Sequence, residues 1–179
     1  LACALLVSVA AASDRVALLI GNNNYAAAPL RNAVNDARDL SEALKELGFK
    51  VIVRENSTRK DMVDAIREFG AALEGANTAL FFYAGHGLQV AGQNYLVPVD
   101  AKLESERDLD FEAVKVDFLL RQMEIDRESK TNIVFLDACR DNPLSRNLAR
   151  SMGTRSAALG RGLAQVQTGV GTFISYSTQ

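Results

Sequence analysis

The sequence predicts an α/β protein with a mainly parallel sheet and helices on both of its faces. Three observations carry this. Short apolar runs alternate with helical stripes along the chain. The first run, RVALLI at residues 15–20, is apolar throughout after Arg15, as in a strand buried on both faces. A repeated strand–helix–strand order implies crossover connections and therefore parallel pairing. With 179 residues, 48% of them apolar and 23% charged, the chain has enough core for one domain of ordinary size.

The elements follow in order. After the strand at 15–20 comes a loop, GNNNYAAAPL. Ala33, Ala37, Leu40, Leu44 and Leu47 then recur at helical spacing, and Gly48 ends that helix at its C-cap. KVIVRE at 50–55 is the second strand. Thr58 with Asp61 three residues later resembles a capping box, and Met62, Ile66, Phe69 and Leu73 form the buried stripe of the helix it opens. TALFFYA at 78–84 is the third strand. QNYLVPVD at 93–100 reads as a short extended piece, with Pro98 placing it at an edge. Asp117 is expected to cap a helix carrying Phe118, Leu119 and Met123. NIVFLDA at 132–138 is the fourth core strand and TFISYS at 172–177 the fifth.

The two ends and one loop stand apart. Residues 1–12 are apolar except for Ser8 and end in Ala10-Ala11-Ala12. They read as the remnant of a signal peptide, too short to span a bilayer. Export is therefore expected, with a membrane anchor as the alternative, and no stable span in the mature chain. The domain proper is 13–179, and the chain is expected to continue beyond Gln179. Residues 140–161 hold Arg140, Arg146, Arg150, Arg155 and Arg161 among small residues and read as a long mobile loop.

Scarcity limits the chemistry. The chain has one histidine, His86, and two cysteines, Cys3 and Cys139, of which Cys3 lies in the leader. A Cys-rich zinc site, a multi-histidine metal site and an internal disulfide framework are excluded for the mature chain. A net charge of −2 provides no basic field for nucleic acid. GNNNY has one glycine, so it is no phosphate-binding loop. His86 follows the third strand in YAGHG, and Cys139 follows the fourth in LDACRDNP. In a parallel sheet both emerge at the carboxyl edge, where ligands bind. An imidazole beside a thiol lowers the thiol pKa and supplies a proton to a leaving amine, as a cysteine hydrolase requires.

YAGHG and LDAC, with the segments RVALLIGNNNY, LRNAVNDARDLSEALKELGFKV, NYLVPVD and ISYSTQ, resemble the caspase-like cysteine peptidases: caspases, metacaspases, paracaspases and their bacterial relatives. His86 precedes Cys139 by 53 residues, near the spacing of about 50 in that group. The resemblance implies a caspase-like fold and a His86–Cys139 dyad at the C-terminal edge of the sheet. It also implies an oxyanion held by the backbone N–H groups of Gly87 and Cys139. Around the nucleophile the chain reads Asp137-Ala138-Cys139-Arg140-Asp141, not the caspase pattern Q-A-C-[RQG]-G. GNNNY also lacks the arginine with which aspartate-specific caspases hold substrate. Asp137 and Asp36 resemble the paired acids that line an Arg or Lys pocket in paracaspases and metacaspases.

The residues agree with that pocket. Positions i and i+2 of an extended segment share a face, so Asp137 is expected to point with Cys139. Asp36 stands near a helix N-terminus, four residues before Leu40. The expected function is a cysteine endopeptidase acting on proteins or peptides with Arg or Lys before the scissile bond, self-processing within its basic loop. It requires no cofactor. The acids between Glu104 and Asp110 lack the ligand spacing of a calcium loop and read as a solvated face. The alternative is a non-catalytic signalling or scaffold domain on the same fold.

Overall fold

A computed structural model describes residues 14–139, 148–151, 163–166 and 168–177, with Cys139 described through its backbone. The leader 1–12 lies outside the described residues, as does the loop 140–161 apart from 148–151.

Strand β1 (Arg15–Gly21) buries every residue after Arg15. Val16, Leu18 and Ile20 pack into one cluster with Met62, Ile66, Phe69, Leu119 and Met123. Ala17 and Leu19 pack into another with Ala37 and Leu44. The strand is therefore covered by helices on both faces, which is why it reads as an unbroken apolar run. Helix α1 (Ala33–Glu46) covers one face. Helices α2 (Arg59–Ala72) and α4 (Val116–Glu124) cover the other. Parallel pairings give the order β2 (Lys50–Glu55), β1, β3 (Thr78–Val90), β6 (Thr131–Cys139), β7 (Thr172–Tyr176).

Local chemistry fixes the helix ends. The Thr58 hydroxyl accepts from the Asp61 N–H, and the Asp61 carboxylate accepts from the Thr58 N–H. This is the expected capping box. At the end of α1, the N–H of Gly48 bonds to Lys45 O and that of Phe49 to Leu44 O, closing a Schellman turn with Gly48 at φ +79°. The helix thus stops one residue earlier than expected. Leu47, assigned to the buried stripe, falls past the last turn and is exposed.

Four other expectations need correction. The third strand continues past Ala84 to Val90. Its end, Gly87–Val90, leaves the parallel sheet and pairs antiparallel with β4 (Gln93–Leu96), which pairs with β5 (Val114–Lys115). The extended piece therefore ends at Leu96 rather than Asp100. Asp117 does not cap α4: the N-cap position is Lys115, which makes no side-chain capping bond, and Phe118 is partly exposed while Val116, Leu119, Leu120 and Met123 are buried. The acids at 104–110 are not merely a solvated face. Asp108 accepts from the N–H groups of Glu104 and Ser105 and opens a short helical turn. The next turn, α3 (Leu109–Glu112), buries Leu109 in a cluster with Leu88, Val97 and Leu103. Within the basic loop, Leu148 is fully buried in that same cluster, so the loop has an apolar anchor.

Candidate active site

β3 and β6 are neighbours, and their parallel register matches Ala84 to Asp137, Gly85 to Ala138 and His86 to Cys139. Adjacent strands lie about 4.8 Å apart. The lone histidine and the one cysteine after residue 12 therefore have adjoining backbones at the carboxyl edge. His86 lies within β3 rather than after it, and Cys139 is the last residue of β6.

His86 is 2% exposed. Its Nε2 lies 2.7 Å from the Ala28 carbonyl oxygen. A carbonyl only accepts, so Nε2 carries the proton and Nδ1 keeps a lone pair in the neutral ring. That Nδ1 is buried with no hydrogen-bond partner among the described residues. Burial pulls the imidazole pKa below its ordinary value, and the Ala28 bond opposes this only in part. Such a ring is neutral, oriented and basic on the Nδ1 side.

Asp36 and Asp137 come from α1 and β6, yet both line one cavity of about 190 Å³. Ala84 and Gly85, just before His86, and Ala138, just before Cys139, form part of its wall, and Arg31 and Ser177 reach it as well. Burial, then the charges of Asp137 and Asp39, raise the Asp36 pKa above the usual carboxylate value. The cavity thus holds two acids, and the charge of Asp137 disfavours that of Asp36. A larger cavity, about 560 Å³, lies against α4 beside Arg121 and Glu124 and, among the described residues, is lined by no histidine or cysteine.

The two glycines of YAGHG leave room. A Cβ on Gly87 would stand 2.9 Å from Ala138 Cβ and 3.1 Å from Leu163 Cδ2. A Cβ on Gly85 would stand 2.6 Å from the hydroxyl oxygens of both Tyr25 and Tyr83. Gly87, itself one of the two expected oxyanion donors, is thus packed tightly beside β6.

Sequence reasoning passed over the loop after β1, which organises this edge. Asn22 is fully buried. It donates its backbone N–H to Ala84 O and accepts from the Ser57 N–H. Asn23 Oδ1 accepts from the Val34 N–H in the first turn of α1, where Asn32 makes no side-chain cap. Tyr25 packs against the His86 ring at 4.3 Å between centroids. The run of three asparagines and a tyrosine directly after a buried strand was the available signal, since asparagine side chains serve the backbone at such turns.

Among the described residues no group of three or more His, Cys, Asp or Glu side chains is placed to hold a metal. No described helix is long and apolar enough to cross a membrane.

Comparison with known proteins bears on the whole unit. A family model for the caspase domain matches residues 14–179. The human mucosa-associated lymphoid tissue lymphoma translocation protein 1 is 36% identical over 130 residues, which is 72% of this chain and 15% of that protein. Pig caspase-1 is 34% identical over 95 residues, or 50% of this chain and 24% of that protein. The crystal structure of the Drosophila initiator caspase Dronc superposes with a TM-score of 0.56 at 13% identity, covering 69% of this chain and 48% of that one, a likeness of fold alone. The chain spans only a small part of the curated relatives it matches. With a parallel sheet of this order, helices on both faces and a match over nearly its full length, the chain belongs to the caspase domain family, among the caspase-like cysteine peptidases.

Proposed function

We propose that this domain is a cysteine endopeptidase that cuts after Arg or Lys, with Cys139 as nucleophile and His86 as its proton carrier. His86 Nδ1 takes the thiol proton, and the thiolate adds to the scissile carbonyl carbon. The oxyanion is held by the backbone N–H groups of Gly87 and Cys139. The imidazolium then protonates the leaving amine, and a water deprotonated by Nδ1 hydrolyses the thioester. Nε2–H stays on Ala28 O throughout and keeps the ring in one tautomer. The apolar leader supports export of the domain, and the arginines of 140–161 support self-processing.

The observation that carries the specificity is the cavity shared by Asp36 and Asp137 beside Gly85 and Ala138. Two carboxylates that repel each other favour a cation between them, and a planar guanidinium can bond to both. The test is a peptide library varied at the residue before the scissile bond. Wild type should cut after Arg, then Lys, and leave Asp untouched. Asp36→Asn and Asp137→Asn should each lose at least about tenfold in kcat/KM for Arg, the scale of a charge-assisted bond of about 1.5–3 kcal/mol. Cys139→Ala and His86→Ala should abolish turnover. Cleavage after Asp, or an unchanged Arg preference in both acid variants, would overturn the pocket. A wild type inert toward every peptide would leave a signalling or scaffold domain as the reading.

A further inference from the structure

Two tyrosine hydroxyls meet at the peptide groups of His86. The Tyr25 hydroxyl oxygen accepts from the His86 N–H at 3.0 Å, and its proton reaches Val97 O at 3.0 Å. The Tyr83 hydroxyl donates to His86 O at 2.7 Å. The Val97 N–H donates to that same oxygen at 3.0 Å, and the two phenol oxygens are 3.2 Å apart. Each hydroxyl has one proton, and each proton has an acceptor. Both tyrosines are buried, Tyr83 completely, in a setting where an unmade bond is expensive. Gly85 is what admits them, since a Cβ there would collide with both oxygens.

Tyr25 does more than complete this network. Its ring lies at 4.3 Å and 51° to the imidazole, and its loop also contributes the Ala28 carbonyl that holds Nε2. One loop therefore grips His86 at its backbone N–H, its ring face and its ring nitrogen. Tyr83 grips the remaining peptide oxygen from within β3.

We infer that Tyr25 and Tyr83 form a two-hydroxyl clasp that fixes the His86 backbone and, through the Tyr25 ring, the aim of its Nδ1. They are positioning residues for the proposed proton carrier, and the inference rests on the dyad reading above. Neither hydroxyl transfers a proton to substrate. Their effect is on the geometry of a step in which about 1 Å of misplacement costs around a hundredfold in rate.

His86 is the sole histidine, so its imidazole proton resonances are assigned without ambiguity in the intact chain. In wild type they should be displaced from those of free histidine by the Tyr25 ring current. Tyr25→Phe keeps the ring and removes the hydroxyl. It should keep that displacement, lower kcat roughly 10- to 100-fold with KM nearly unchanged, and shift the acidic limb of the kcat/KM profile. Tyr25→Ala should lose the displacement and more of kcat. Gly85→Ala attacks the same clasp without altering a tyrosine and should lower kcat in the same way. Wild-type histidine signals at the free position would overturn the inference even if every variant failed to fold. So would a Tyr25→Phe protein with wild-type kcat and pH profile whose only change is a lower melting temperature. Full activity of His86→Ala would instead sink the dyad, which keeps the two failures distinct.

Discussion

Burial sets the charge state of His86, and two opposite shifts at this edge make separate pH predictions. His86 is pulled below the ordinary histidine value by burial, so its neutral form persists to lower pH than in a free imidazole. The acidic limb of kcat/KM should therefore fall below pH 6.5. The linkage has a matching sign. As pH drops through 6.5 the unfolded chain takes up a proton at this histidine before the folded chain does. Stability should fall in that window, and the contribution should level off once the folded pKa is passed. Asp36 moves the other way, raised by burial and by Asp137 and Asp39. It gains its proton at a higher pH than an ordinary aspartate, so preference for Arg over an uncharged residue should weaken on mild acidification. Profiling Arg and Ala substrates side by side across pH separates the two groups. A selectivity ratio flat down to the ordinary carboxylate range would show that Asp36 does not contact substrate. At this scale the sequence could single out His86 and Cys139 by scarcity but was silent about tautomer, since Ala28 contributes through its carbonyl, which no side-chain pattern encodes.

The legible elements were those with a strong local signal. The Thr58–Asp61 box, the Met62–Ile66–Phe69–Leu73 stripe and the doubly buried β1 all formed as their patterns required. The misread ones were decided by long-range pairing. β3 continues through His86 because β6 pairs with it that far and β4 pairs with its end, whereas glycines at 85 and 87 carry no strand signal of their own. Asn94 is a further case, a polar residue in a short strand whose role appears only in three dimensions. It is 2% exposed, its Nδ2 donates to Ala164 O at 2.7 Å, and its Oδ1 accepts from the Ala164 N–H at 2.7 Å. This amide clamp ties residues 163–166 to β4 and holds Leu163 close to Gly87. Asn94→Ala should leave a half-buried backbone amide and carbonyl without this partner, costing up to about 1–3 kcal/mol for each group that water cannot reach. Hydrogen exchange at Ala164 should accelerate well ahead of exchange in β1. Equal protection of Ala164 in wild type and variant would show that the clamp contributes nothing.

Across the whole molecule, the chain between β6 and β7 leaves the carboxyl edge at Cys139 and returns to the sheet at Thr172. That connection holds Arg140, Arg146, Arg150, Arg155 and Arg161, side chains of the type the Asp36–Asp137 cavity is proposed to take. Of these, Arg150 is described and exposed, two residues after the buried Leu148. Self-cleavage here would separate β7 from the rest of the chain covalently but not structurally. β7 keeps a register from Asn132–Thr172 to Leu136–Tyr176 with β6, Ile174 and Tyr176 pack on the main cluster, and Asn94 still holds Ala164. Wild-type protein on prolonged incubation should therefore yield two fragments by denaturing mass analysis, cut after one of these arginines, that still elute together under native conditions. Cys139→Ala should stay intact, and Asp137→Asn should slow the cut. Equal intact masses for wild type and Cys139→Ala would rule out self-processing. Fragments that separate without denaturant would show that β7 is held by the chain rather than by the sheet.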